Sequence, residues 1–288
     1  MIIHAATTRP VESPARFRDL VAAEWIKLRS QRSTPWTFAV TALVVIGSAV
    51  VAAHADYVNF PHYSPAEQQT HGFSLSDAFP LASCLILMVV AASTGAATIV
   101  SEYSSGLIRT TTVAVPARGS VVLAKAVVIA AAWTLAGAIN SMASFAASQA
   151  ILHGRDADVS ITDPGAFTAL LGATLLAPVC ALIGLGLGVL IRHSIATTVT
   201  AIVTLTMLPI FLSPQQRLPA EIRHAMVFTA WQRLTQAYGP PQIADSRAQA
   251  GQLLPGLYPP LGEAWISYAA WPLVALVLAL IVVRRRDV

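Results

Sequence analysis

The side chains able to do chemistry in this chain are few, and they are unevenly placed. One polar stretch, Ser101 to Lys125 (SEYSSGLIRTTTVAVPARGSVVLAK), holds Glu102, Arg109, Arg118 and Lys125 between two long apolar runs without formal charge. A lysine or arginine at the centre of a membrane helix costs about 2.5–3.5 kcal/mol on insertion scales, so these charges belong in water or among headgroups. The stretch therefore reads as a loop at a membrane surface, punctuated by Gly106 and Pro116. A second group, His54, His62 and His71 with Asp56 and Asp77, is rich in metal-ligating types. Its spacing matches no compact ligand motif, so it reads as a solvated loop. Cys84 and Cys180 both fall inside apolar runs and read as small buried hydrophobes rather than a disulfide or a metal pair.

What is missing narrows the function further. Nothing matches G-x-x-x-x-G-K-[ST], so any ATP used must be bound by another polypeptide. No carboxylate or basic residue lies near the middle of a predicted span, which argues against a proton- or sodium-driven carrier and against an intramembrane protease or transferase. No catalytic, cofactor-binding or metal-binding residue is expected, and the chain does not read as an enzyme.

The elements that must position these residues follow from hydropathy. The 288 residues are 55% hydrophobic and 11% charged, with a mean hydropathy of +0.64. An average soluble domain is about 25% charged, so the composition indicates a polytopic membrane protein. Six apolar stretches of spanning length are predicted at about 35–53, 79–100, 121–152, 165–191, 195–212 and 265–283. The fold expected is all-α: a six-span transmembrane domain over 35–283, a tail and interfacial helix over 1–34, and a short basic tail over 284–288.

Residues 1–12 are expected to be unstructured, and residues 1–20, without a continuous apolar region or a small-residue cleavage site, do not read as a signal peptide. Ser13-Pro14 is a helix-start signal. After it, Phe17, Leu20, Val21, Trp25 and Leu28 recur at helical spacing, flanked by Arg16, Arg18, Lys27, Arg29 and Arg32. That pattern predicts an amphipathic helix lying in the membrane interface, held by apolar burial and attraction to anionic lipid.

Thirteen of the 18 Lys and Arg residues fall on one side of the predicted bundle. The positive-inside rule makes that side cytoplasmic and places both termini there, in a multi-pass protein of the cell membrane. On the other side, the loop before the last span contains an amphipathic stretch from Pro219 to Tyr238, with Val227, Trp231, Leu234 and Tyr238 on one face. It suits a helix on the outer membrane surface or one packed on the neighbouring loops. Asn140, Gln149 and the threonines of the fifth span read as hydrogen-bonding glue between helices or as the wall of a polar path. Gly184-x-x-x-Gly188 permits close helix approach without saying which helix approaches.

Three strings carry a family resemblance. Glu102, then Gly106-Leu107-Ile108, then Pro116-x-Arg118, then Lys125 resembles the loop between the second and third spans of ABC-2 type transporter permeases. The segment AAEWIKLRSQRSTPW is similar to the helix before the first span in actinobacterial-type members, and the ending VVRRRDV is similar to their tails. The resemblance implies a permease subunit that forms the translocation path, pairs with a second copy or a paralogue, and docks on a separate cytoplasmic ABC ATPase, exporting its substrate. On that implication Glu102 and Arg109 are expected to be polar anchors for that ATPase, Leu107 and Ile108 an apolar insert, and Pro116 the residue that fixes the exit towards the third span, with Gly106 and Arg118 in the same coupling loop. Membrane lipid is the other expected partner, and no nucleic acid is expected. The rival reading is a membrane anchor or sensor scaffold that recruits a cytoplasmic partner without transporting anything.

Overall fold

The computed structural model describes residues 16–70, 73–105, 118–212, 217–235 and 259–285. Those residues form helices and connecting turns, with no strand among them. In chain order the helices are α1 (Phe17–Ser30), α2 (Ser33–Asn59), α3 (Pro65–Thr70), α4 (Ser74–Ala78), α5 (Leu81–Ser105), α6 (Arg118–Leu152), α7 (Ala166–Ile191), α8 (Ser194–Ile202), α9 (Leu208–Phe211), α10 (Arg217–His224), α11 (Val227–Thr235) and α12 (Leu261–Arg285). Six helical stretches are long and apolar enough to cross a membrane, so the chain is an all-α polytopic membrane protein. In chain order they are α2, α4 with α5, α6, α7, α8 with α9, and α12.

Apolar runs find the spans, whereas the helices continue past them. α2 runs to Asn59 and carries His54 and Asp56 in its last turns, and α5 runs to Ser105 and carries Glu102 in its last turn. Hydropathy marks where hydrocarbon ends, and a helix needs no break to pass into the headgroups. At 35 residues, α6 is about 50 Å long, so it overshoots an apolar core of about 30 Å. Lys125 lies seven residues from its start, about 10 Å along the axis, which places the ammonium near the boundary.

The fourth span, α7, is the hub. It packs against α5, α6, α8, α11 and α12, and two thirds of its most apolar window is buried. Small residues make this packing close. A Cβ on Gly184 would run into the backbone of Ala92 on α5, and one on Gly95 would run into the backbone of Ala181 on α7. Gly188 continues the same contact against Ile99, whereas Gly186 faces Ala275 on α12. The partners of the glycine stripe are therefore inside this chain. With lipid as apolar as leucine, such close backbone contact drives helix association in a membrane. The first span packs mainly on α6, and Phe38 meets the buried Trp133 there at 4.8 Å between ring centroids.

The fifth span is irregular. Between α8 and α9, Val203–Met207 form a π-turn in which Leu208 N–H reaches back to the Val203 carbonyl. The turn falls just before Pro209, which has no N–H to give to the helix. The Thr204 and Thr206 hydroxyls bond the carbonyls of Thr200 and Ile202, so these threonines satisfy their own helix.

The stretch before the last span differs from a single surface helix over 219–238. It is two helices, α10 and α11, that meet at Ala225-Met226, and residues 236–238 lie outside the described set. The apolar side of α11 is buried against α7 and α12: Val227, Phe228, Trp231 and Leu234 are each under 5% exposed. Trp271 Nε1 donates to the Ala225 carbonyl at 2.6 Å, ten residues into α12. The α10–α11 joint therefore sits level with a point about 15 Å along that helix. Helix–helix packing, rather than an outer membrane surface, explains the amphipathic pattern.

The histidine-rich segment folds over the end of the bundle away from α1. Tyr63 donates to Asp56 Oδ1 at 2.7 Å, Ser74 Oγ donates to the Ala157 carbonyl at 2.6 Å, and Arg155 stacks on Tyr57 at 4.5 Å. The Asp56 carboxylate pushes the Tyr63 phenol up to about 12 by accepting that hydrogen bond. Gln149 closes the same end by donating to the Ser74 carbonyl and accepting from Val159 N–H. His71 lies outside the described residues. Among the described residues, no three His, Cys, Asp or Glu side chains gather to hold a metal ion.

Candidate functional site

The chemistry collects at the end of the bundle that carries α1. The start of α1 is fixed by Asp19, whose carboxylate accepts the Arg16 backbone N–H at 3.0 Å and favours the helix N-terminus by its charge. The face turned to the bundle carries Leu20, Val21, Glu24 and Leu28 at spacings of three and four. Leu28 packs on the core, Leu20 and Val21 are half-buried, and Glu24 is buried in the middle of this face. Phe17, one turn before Leu20 and Val21 on the same face, and Trp25, at its edge, are more exposed, at 45% and 41%.

Glu24 anchors four charges into one cluster. Lys125 Nζ, from α6, lies 2.7 Å from Glu24 Oε2 and 2.7 Å from Glu102 Oε1 of α5. Lys27 Nζ closes the ring at 2.7 Å from Glu24 Oε1 and 2.9 Å from Glu102 Oε1. The Lys125 side chain is 2% exposed and the two glutamates 8–9%, whereas Lys27 is 47% exposed. Partial burial works against the charge on Lys27, but its hydrogen bonds to Glu24 and Glu102 hold the ammonium above the ordinary lysine value. Two positive and two negative groups cancel, so no net charge is left in the low-dielectric edge of the bundle. Oε2 of Glu102 accepts no hydrogen bond.

The geometry has a mechanical meaning. Glu102 lies three residues before the end of α5, and Lys125 lies seven after the start of α6. Their contact ties the end of α5 to the start of α6, and Glu24 and Lys27 tie both to α1. A cavity of about 390 Å³ lies beside the cluster, lined by Lys27, Leu28, Gln31, Thr98, Val128 and Ile129 among others. At the same end, Arg192 adopts a left-handed conformation (φ 59°) between α7 and α8 and stacks over the Tyr103 ring at 4.7 Å. His193 Nδ1 accepts the Ala196 N–H at 3.3 Å and so caps α8.

The residues expected from the sequence separate clearly. Glu102 is turned into the bundle, where its partners are lysines of this same chain. α6 begins at Arg118. Gly106, Leu107, Ile108, Arg109 and Pro116 lie outside the described residues. The sequence reading missed Glu24. Its signal was a carboxylate centred on an otherwise apolar helical stripe, three residues before a lysine, which calls for a buried cationic partner.

Deeper in the bundle is a second polar node. Asn140, Ser141 and Ser144 of α6 face a cavity of about 30 Å³, closed by Phe79 and by Trp231 of α11. Ser141 and Thr174 share a 2.7 Å hydrogen bond there, and Ser144 Oγ has no partner. This space is large enough for a water or two.

The family described as ABC-2 family transporter protein matches residues 20–209. That range takes in most of α1, the whole charged cluster and the first five spans. No curated protein matches the chain.

Proposed function

Because the chain belongs to the ABC-2 transporter family, as the membrane permease rather than the nucleotide-hydrolysing part, we propose that it forms an exporter by pairing with a second permease and docking on a separate cytoplasmic ATPase. The loop between α5 and α6 is the docking element. Leu107 and Ile108 insert into the ATPase, Arg109 and Arg118 supply polar contacts, and Gly106 and Pro116 shape the loop. Pro116 locks its own φ and biases Val115 away from the helical region. Glu102 acts one step inward, as the joint that passes motion from the loop into the bundle.

The observation that supports this reading most is the charged cluster. A push on the loop reaches α5 through Glu102 and α6 through Lys125, and both are ionically bound to α1, so the three helices respond together. α1 lies along the membrane interface with Phe17 and Trp25 towards lipid. Both termini and the α1 end of the bundle are cytoplasmic in this reading, which the basic asymmetry supports.

Affinity purification of the full chain from its native membrane tests the partner. Recovery of a polypeptide bearing a P-loop is expected; a partner set without any ATPase would favour the scaffold. Single-cysteine labelling from outside, in a variant without Cys84 and Cys180, tests the orientation. Position 247 is expected to react in intact cells and position 106 is not; the reverse would overturn the orientation.

A further inference from the structure

The cavity beside the charged cluster has the graded character of a lipid-headgroup site. Its mouth is polar, with Ser30, Gln31 and Ser101. Its charged wall is Glu24, Lys27, Glu102 and Lys125. One helical turn deeper, at Thr98 and at Val128 and Ile129, the wall becomes largely apolar, and Leu28 continues it from α1. At about 390 Å³ it would take about a dozen waters, and an apolar wall gives most of them nothing to bond.

Two groups on the charged wall keep unused hydrogen-bonding capacity of opposite kind. Lys27 carries three N–H donors and gives two to Glu24 and Glu102, so one remains, on a side chain that is 47% exposed. Glu102 belongs to a buried residue, and its Oε2 accepts nothing. That oxygen is covered in the structure, and because the terminal torsion of a glutamate is soft, a turn of the carboxylate is the movement that would bring it to the cavity. The site thus offers one donor for an anion and one acceptor for a cation, on a wall of zero net charge.

We propose that this cavity binds the headgroup of a zwitterionic phospholipid bearing N–H donors, of the phosphatidylethanolamine class: the ammonium bonds Glu102, the phosphate bonds Lys27, and the glycerol and upper acyl carbons lie against Leu28, Val128 and Ile129. Phosphatidylcholine has the same charges but no N–H to give, and an anionic lipid without an amine leaves Glu102 unpartnered. The inference rests on the membrane fold and not on the ATPase, so it stands or falls separately from the docking reading.

The test counts lipids retained on the full chain by native mass spectrometry, after exchange into detergent with equal amounts of phosphatidylethanolamine, its N-methyl and N,N-dimethyl forms, and phosphatidylcholine. Retention is expected to fall as N–H groups are lost, with about tenfold between the two ends of the series. Glu102→Gln should flatten the series. Because that variant breaks a buried ion pair, Thr98→Phe carries the test independently: it fills the cavity, leaves the four charges in place, and should abolish the preference. Millimolar phosphoethanolamine should not displace the lipid, since it lacks the apolar part. Equal retention across the series, a preference unchanged in Thr98→Phe, or full displacement by phosphoethanolamine would each overturn the proposal.

Discussion

α5 makes two contacts of opposite chemistry, two turns apart. At Gly95 it meets α7 backbone to backbone, with no side chain between them. At Glu102 it meets α6 and α1 through charges. The first contact lies where water is absent, so small residues that let backbones approach do the work. The second lies at the edge, where charges can be fully paired and one of them, Lys27, still reaches water. The first has one geometry and tolerates no added atom. The second is made of long side chains that can keep their pairing through small helix shifts. That contrast suits a rigid α5–α7 core and a joint near the loop that moves with a partner.

The largest effect should come from the rigid contact. Gly184→Leu places a side chain into the backbone of Ala92, and almost no assembled protein is expected by fluorescence-detected size exclusion. Normal assembly would show that the α5–α7 approach is not as close as described.

Lys125→Met should come next. It leaves two buried carboxylates with only the half-exposed Lys27, and losing one partner of a buried ion pair costs about 3–5 kcal/mol. A large drop in thermal stability is expected, and the double change Lys125→Met with Glu102→Leu should recover part of it, because the two sites share one interaction. Additive losses would show that the cluster is not coupled.

Trp25→Glu is expected to lower the amount of assembled protein in membranes by about half, by removing apolar burial at the interface. Because Trp25 keeps 41% of its surface exposed in the bundle, the loss should be weaker in detergent. Unchanged membrane assembly would mean that the outward face of α1 does not meet lipid.

The smallest effect should be Lys27→Met. Its side chain is half exposed and Lys125 still bridges both glutamates, so about 1 kcal/mol or less is expected from thermal unfolding. A loss matching that of Lys125→Met would place Lys27 among the buried charges.

The spans were legible because hydropathy is a local property with a length scale fixed by the bilayer. The buried contact between Glu102 and Lys125 was not, since nothing in SEYSSGLIRT says that its glutamate turns inward to meet a lysine 23 residues on and another 75 residues back. The pairing depends on how α1, α5 and α6 cross. Val227, Trp231 and Leu234 gave the right amphipathic face for α11, but periodicity does not distinguish a membrane surface from a groove between α7 and α12. The glycine stripe had the same limit: spacing shows that a helix can approach, and only the packing shows that α5 takes one side and α12 the other.

The central claim is that the loop between α5 and α6 receives the ATPase, and Leu107→Asp addresses it most directly. The substitution changes none of the four clustered charges and adds a charge to the proposed apolar insert. Tagged wild-type and variant chains would be purified from the same membranes, and the co-purified ATPase quantified together with ATP turnover in reconstituted vesicles. The account predicts normal insertion of the variant, loss of most of the bound ATPase, and turnover no longer responsive to the permease. Equal recovery of the ATPase with equal stimulation would contradict it.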